Sequence, residues 1–168
     1  MRPAIVMPSV LALACAVAPA AADEPVAFDK LPPVIVEKFQ ARWGQAENIV
    51  CTAHGDQDDR TYRIAFVASG RRCRAEFAAV GVFRGSVETV KAADLPAAVR
   101  DTVLKRYPGA LIVTPTQVTS GEGAAAKVVY RLKSQTEEER RAFVIAASGK
   151  LLEEKLLEDG DSADRDDD

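Results

Sequence analysis

The densest group of chemically capable side chains is CTAHGDQDD, residues 51–59. It holds Cys51, the chain's single histidine His54, and Asp56, Asp58 and Asp59. Thiolate, imidazole and carboxylate together are a ligand set for a divalent cation. The spacing does not build a known site. A structural zinc centre takes four Cys or His ligands at set intervals. An EF-hand takes Gly at its sixth position and a distant Glu, whereas the chain from Asp56 reads DQDDRT. Gly55 and the aspartates suit a solvated hairpin turn. No metal site and no cofactor are expected. Metal or small-ligand sensing at residues 54–59 is the alternative function.

Catalytic patterns are equally sparse. A hydrolytic triad needs a base beside its nucleophile, and the one histidine lies in a polar turn. There is no Gly-x-Ser-x-Gly elbow, and GVFRGS (81–86) lacks the lysine and spacing of a phosphate loop. Glu153 and Glu154 are adjacent carboxylates, but they sit in the charged segment LLEEKLL, where solvation accounts for them. The chain is read as a non-enzyme. A set of cations offers recognition instead. Arg63, Arg72 and Arg74 fall on one face of neighbouring strands, and Arg131 and Lys133 are their counterparts downstream. Arginine favours recognition surfaces because its planar fork pairs carboxylates and its stem packs. The plain alternative is an antiparallel sheet turning polar residues to water.

The elements that must carry these residues are written twice. LPPVIVEKFQARWGQAENI (31–49) aligns with LPAAVRDTVLKRYPGALIV (95–113) at an offset of 64. Leu31 meets Leu95, Pro32 meets Pro96 and Arg42 meets Arg106. Ile35, Phe39 and Trp43 meet Val99, Val103 and Tyr107, one stripe of a helix. Proline suits the first helical turn. Gly44 in one copy, and Pro108 with Gly109 in the other, end it. Strand-like alternation follows each helix, at 49–53, 61–68, 71–79 and 82–88, then at 111–118, 128–133, 143–147 and 151–157. Ser148, Gly149 and Lys150 form the turn that makes 151–157 a closing strand rather than a helix.

The expected fold is therefore α+β: two repeats, each an N-terminal helix packed on a three- to four-stranded antiparallel sheet. The expected organisation is a signal peptide at 1–22, a linker at 23–30, repeat 1 at 31–88, a linker at 89–94, repeat 2 at 95–157 and an acidic disordered tail at 158–168. A unit this small buries little surface alone, so two would share a core or continue one sheet.

The first 22 residues carry Arg2, an apolar run and an A-x-A site at residues 20–22. That is the pattern of a secretory leader. Pro8, Pro19 and the lack of a basic stop-transfer flank argue against a membrane anchor. The whole chain has 22 basic and 25 acidic residues, a net charge of −3. Loss of Arg2 leaves −4, and the last eleven residues alone hold −6. The folded part is thus about +2, too weak a balance for a nucleic-acid partner. Export would leave Cys51 and Cys73 as the only cysteines in an oxidising compartment, where a disulfide is the default. It would contribute about 3 kcal/mol in the chain-entropy model. Yet a simple meander puts them two strands apart, ~9.6 Å, and a bridge needs Cα atoms within ~7 Å. Either the meander breaks here or both remain buried thiols. The C-x-x-C spacing of a redox site is absent.

DLPAAVRDTVLKRYPGA and the closing ASGKLLEE resemble the PepSY-like family, similar in fold to the β-lactamase-inhibitor-protein repeat. The resemblance rests on Leu95 and Pro96, on Tyr107, Pro108 and Gly109, and on the turn at 148–150. It is looser over 31–88, where Trp43, Gly44 and Gln45 replace Tyr-Pro-Gly. The family has no catalytic residues to carry over. It implies a periplasmic or secreted tandem module, without a stable membrane anchor, that binds a protein or peptide partner of the cell envelope and restrains a hydrolase such as a protease.

Overall fold

The computed structural model describes residues 23–56 and 59–158. The expected leader (1–22), Gln57, Asp58 and the expected tail after Glu158 lie outside those residues.

The helices form where the Leu-Pro pairs place them. Helix α1 spans Pro33–Trp43, with proline in the first turn, where its missing N–H breaks no bond. It buries Ile35 and Phe39, one helical turn apart, and Leu31 just ahead of it is buried too. Helix α2 spans Ala97–Arg106 and buries Val99 and Val103, with Leu95 ahead of it. Tyr107 leaves helical geometry, since Pro108 crowds an α conformation before it. Gly109, at φ +81°, then turns the chain.

Among the described residues, nine strands accompany the helices: β1 (Glu24–Val26), β2 (Glu47–His54), β3 (Thr61–Ala68), β4 (Arg71–Ala78), β5 (Phe83–Thr89), β6 (Leu111–Ser120), β7 (Lys127–Gln135), β8 (Arg140–Ala146) and β9 (Leu151–Leu157). They make a single sheet in chain order, every neighbour antiparallel.

Both helices cover the same face. Cys73, Glu88, Gln117, Tyr130 and Ile145 are successive cross-strand partners, so their side chains share a side of the sheet. Cys73 belongs to the cluster under α1, with Ile64, Phe66, Ala75, Phe77 and Phe83. Tyr130 and Ile145 belong to the cluster under α2, with Leu132 and Phe143. Between the clusters this face is polar. Ser86 and Glu88 of β5 lie opposite Thr119 and Gln117 of β6.

This corrects the expected fold class. The chain is not a pair of helix-plus-sheet repeats, because β5 and β6 pair from Gly85 with Ser120 to Thr89 with Thr116 and close one nine-stranded sheet. The physical reason is the edge. Separate sheets would leave unpaired N–H and C=O groups along both β5 and β6. Gly85 makes the approach fit: a Cβ there would lie 2.6 Å from the Thr119 carbonyl oxygen. The expected linkers also belong to the fold. Glu24–Val26, within 23–30, is strand β1 and pairs with β2. Within 89–94, Thr89 is in β5, Val90 is buried, and its N–H donates to the Pro115 carbonyl.

Candidate binding face

The face away from the helices carries rows of apolar, polar and charged side chains in register. Across it runs one row of direct partners: Val50, Ala65, Arg74, Val87, Val118, Val129 and Ala146, from β2 to β8. Six of the seven are apolar, and the row spans about 29 Å at ~4.8 Å per strand. None is buried, and Val50 is 61% exposed. On one side of this belt lies the row Thr52, Arg63, Glu76, Gly85, Ser120 and Lys127. On the other lie Thr89, Thr116, Arg131, Val144 and Glu153. The pattern is an apolar stripe between two polar margins. Where β4, β5 and β6 meet, Arg74, Glu76, Arg84, Gly85, Val87 and Val118 line a shallow groove of about 230 Å³.

All five expected recognition cations share this face, but not as one basic patch. Arg63 lies opposite Glu76, and its Nη1 is 3.5 Å from Asp23 Oδ2. Arg84 Nη1 is 4.0 Å from Glu76 Oε1. The β3–β4 half is therefore partly neutralised. Arg74 sits within the apolar belt opposite Ala65 and Val87, and Arg72 lies opposite Val67. Arg131 and Lys133 stand on β7, opposite Thr116 and Val113. From β4 to β7 is three strand steps, about 14 Å, so the two groups flank the middle of the face rather than touch. Among the described residues, no ion pair engages Arg72, Arg131 or Lys133. Sequence reasoning missed the belt. Its signal was the alternation of Val87, Val118 and Val129, each flanked by residues of the opposite face.

The cluster at 51–59 does not converge. Cys51 and His54 differ in strand parity, so Cys51 enters the helix-side core while His54 lies on the open face. There, His54 Nδ1 is 2.5 Å from Asp23 Oδ1. Asp58 lies outside the described residues. Among those described, no three His, Cys, Asp or Glu side chains gather as a metal site.

The disulfide expectation is also corrected. Cys51 and Cys73 are free and buried. Cys51 pairs with Ile64, and Cys73 pairs with Phe66, so β3 separates the two strands that carry them. That is two strand spacings, beyond the reach of an S–S bond. Burial pushes both thiols above their ordinary pKa.

Glu154 anchors the end of α2 to the sheet. Its carboxylate accepts a hydrogen bond from the Tyr107 hydroxyl, and it lies 3.0 Å from Arg106 Nε and 2.9 Å from Arg141 Nη1. Arg141 also grips Glu139 through two nitrogens, at 2.7 and 3.0 Å. The Arg141 hydrogen bond holds Glu139 below the usual carboxylate range. The hydrogen bond to Glu154 raises Tyr107. Arg71 plays a similar part between the clusters, reaching Glu88 at 2.7 Å and Asp94 at 3.0 Å. These pairs tie the helix end and the connecting segments to the sheet.

No protein-family model matches the chain, and no curated protein matches it in sequence. Solved structures do. A BLIP-like protein of Bacteroides fragilis is 16% identical with a TM-score of 0.59, over 79% of this chain and 90% of that one. A DUF2874 family protein of Bacteroides ovatus is 15% identical with a TM-score of 0.59, over 80% and 93%. A proposed periplasmic protein of Bacteroides eggerthii is 14% identical with a TM-score of 0.58, over 76% and 89%. The PepSY-like assignment rests on the sequence motifs alone. By fold, this chain is similar to the BLIP-like and DUF2874 proteins.

Proposed function

We propose that the protein is exported to the periplasm or beyond and acts there as a non-enzymatic binding module, docking a protein or peptide partner on its open sheet face. The observation that carries this reading is the apolar belt from Val50 to Ala146, left uncovered by any described element and bordered by Arg72, Arg131 and Lys133. An apolar centre with a polar, charged rim is the anatomy of a protein interface. The partner it fits presents an apolar ridge flanked by carboxylates. Restraint of an envelope hydrolase, a protease foremost, is the form of action assigned to it.

Export is supported by the leader pattern at 1–22 and by a structural neighbour described as periplasmic. Among the described residues, no helix is long and apolar enough to cross a membrane. The test is capture from an envelope extract by wild-type protein and by the Arg72→Glu, Arg131→Glu variant. Reversing two rim charges against carboxylates should weaken a specific partner by about tenfold or more. The variant's full retention of that partner rejects the reading. A hydrolase assay on the captured partner, with and without added protein, then tests restraint.

A further inference from the structure

We propose that a cleft beside helix α1 binds a free α-amino acid with an apolar side chain. This inference is independent of what the open face binds, because the cleft lies on the helix side of the sheet. Its volume is about 340 Å³, within the ~300–1,000 Å³ of small-molecule sites. Lys38, Ala41 and Arg42 line it from α1, and their spacing of three and four residues puts them on one side of that helix. Phe77 and Phe83, from the β4–β5 hairpin, form the floor. Packing fixes that floor, since the two rings are 1% and 2% exposed. Glu122, from the segment joining β6 to β7, faces α1 across the cleft.

A comparison of the two helices shows what the cleft is built for. Arg106 of α2 meets Glu154 at 3.0 Å. The residue aligned with it in α1 is Arg42, whose guanidinium carbon lies instead over aromatic rings, 4.3 Å from the centre of Phe83 and 5.1 Å from that of Trp43. Among the described residues, no ion pair engages Arg42. Seating over a ring holds the guanidinium in place while its N–H edge can still donate to a carboxylate. One turn earlier the contrast repeats. Thr102 of α2 donates to the Gly149 carbonyl at 2.6 Å and ties the helix to the β8–β9 turn. The aligned residue of α1 is Lys38, whose Nζ lies 3.7 Å from Glu122 Oε2, with both side chains more than two-fifths exposed. A well-formed bond between such charges is ~2.7–2.9 Å long, so this pair is loose. The place that α2 closes with its own side chains is left in α1 as a cleft with two cations and a carboxylate. Neighbouring charges of opposite sign match a zwitterion. Arg42 and Lys38 would take the α-carboxylate and Glu122 the α-ammonium. The ligand's side chain would lie against Ala41, the stems of Lys38 and Arg42, and the aromatic floor. Glu122 sets this apart from a simple anion site, because it repels phosphate or sulfate.

The test is calorimetric titration of the protein exported and processed through its own leader, with L-leucine and L-phenylalanine as probes and amide chemical shifts to locate them. Both should bind at one saturable site and shift the amides of 38–42 and 122. N-acetyl-L-leucine lacks the ammonium and L-leucinamide lacks the carboxylate, so each should bind about tenfold more weakly or worse. Arg42→Gln should weaken L-leucine by about tenfold and remove its advantage over L-leucinamide. Glu122→Gln should weaken L-leucine by a similar factor without weakening N-acetyl-L-leucine. Ala41→Phe fills the cleft without altering charge and should abolish binding. Ala41, Arg42 and Glu122 are exposed, so all three variants should fold with an unchanged Tm. Neither heat nor shifts at 38–42 and 122 with either amino acid overturns the proposal. So does binding that survives Ala41→Phe. Inorganic phosphate binding as tightly as L-leucine would mark a plain anion site and overturn it equally.

Discussion

Gly85→Ala is the sharpest perturbation of the junction between β5 and β6. A Cβ built at Gly85 lies 2.6 Å from the Thr119 carbonyl oxygen, where ordinary van der Waals contact begins near 3.4 Å. The obstacle is backbone, so no side chain can swing away. The two strands must part where Gly85 faces Ser120. Strain of this kind costs about 1–3 kcal/mol. For a domain of this size each kcal/mol moves Tm by about 3 °C, so the expected fall is about 3–9 °C. If β5 were a free edge, the same change would narrow the unfolded ensemble and raise stability by about 0.4–1 kcal/mol. The sign therefore separates a joined sheet from two separate ones. Thermal unfolding followed by circular dichroism reads it, and amide exchange at 86–89 and 116–120 locates it. An unchanged or raised Tm refutes the reasoning.

Two further outcomes follow from the buried and paired groups. Cys51 and Cys73 should resist iodoacetamide at pH 8 in the folded protein and react fully in denaturant, with an intact mass showing both thiols reduced; one alkylated native thiol or a mass 2 Da low contradicts the geometry. Glu139 has a folded pKa below its unfolded value, so its stabilisation is present above the ordinary carboxylate pKa and lost as pH falls through the folded one. Tyr107 is raised, so its contribution is present below pH ~10 and lost as pH rises further. Tyr107→Phe should flatten the alkaline limb of a stability–pH curve and leave the acid limb, whereas Glu139→Gln should flatten the acid limb; unchanged limbs in either variant contradict these pairings.

The local elements were legible because their signals are short-range. Pro32 and Pro96 mark helix starts, and the four-residue spacing of Ile35 with Phe39 and of Val99 with Val103 marks the buried stripe. Gly149 turns the chain at φ +87° and so makes 151–157 a strand. What escaped was long-range pairing. β5 and β6 face each other through Ser86, Glu88, Gln117 and Thr119, polar residues that give no hydrophobic period to read. Two apolar clusters flank this polar seam, so the chain reads as two units although its backbone ladder is unbroken. β1 is too short to show alternation. The site was legible in the same measure. Alternation on β3 and β4 put Arg63, Arg72 and Arg74 on one face. It did not disclose Asp23, forty residues before Arg63, or the valine row that exists only once seven strands are in register.

The open face is best tested by placing a photo-crosslinking residue at Val87, mid-belt, and in a second protein at Lys105, on the exposed side of α2. Irradiation in intact cells should give a discrete adduct to one macromolecule from position 87 and none from position 105. Adducts from position 105 with none from position 87 would place recognition on the helical side and contradict the account.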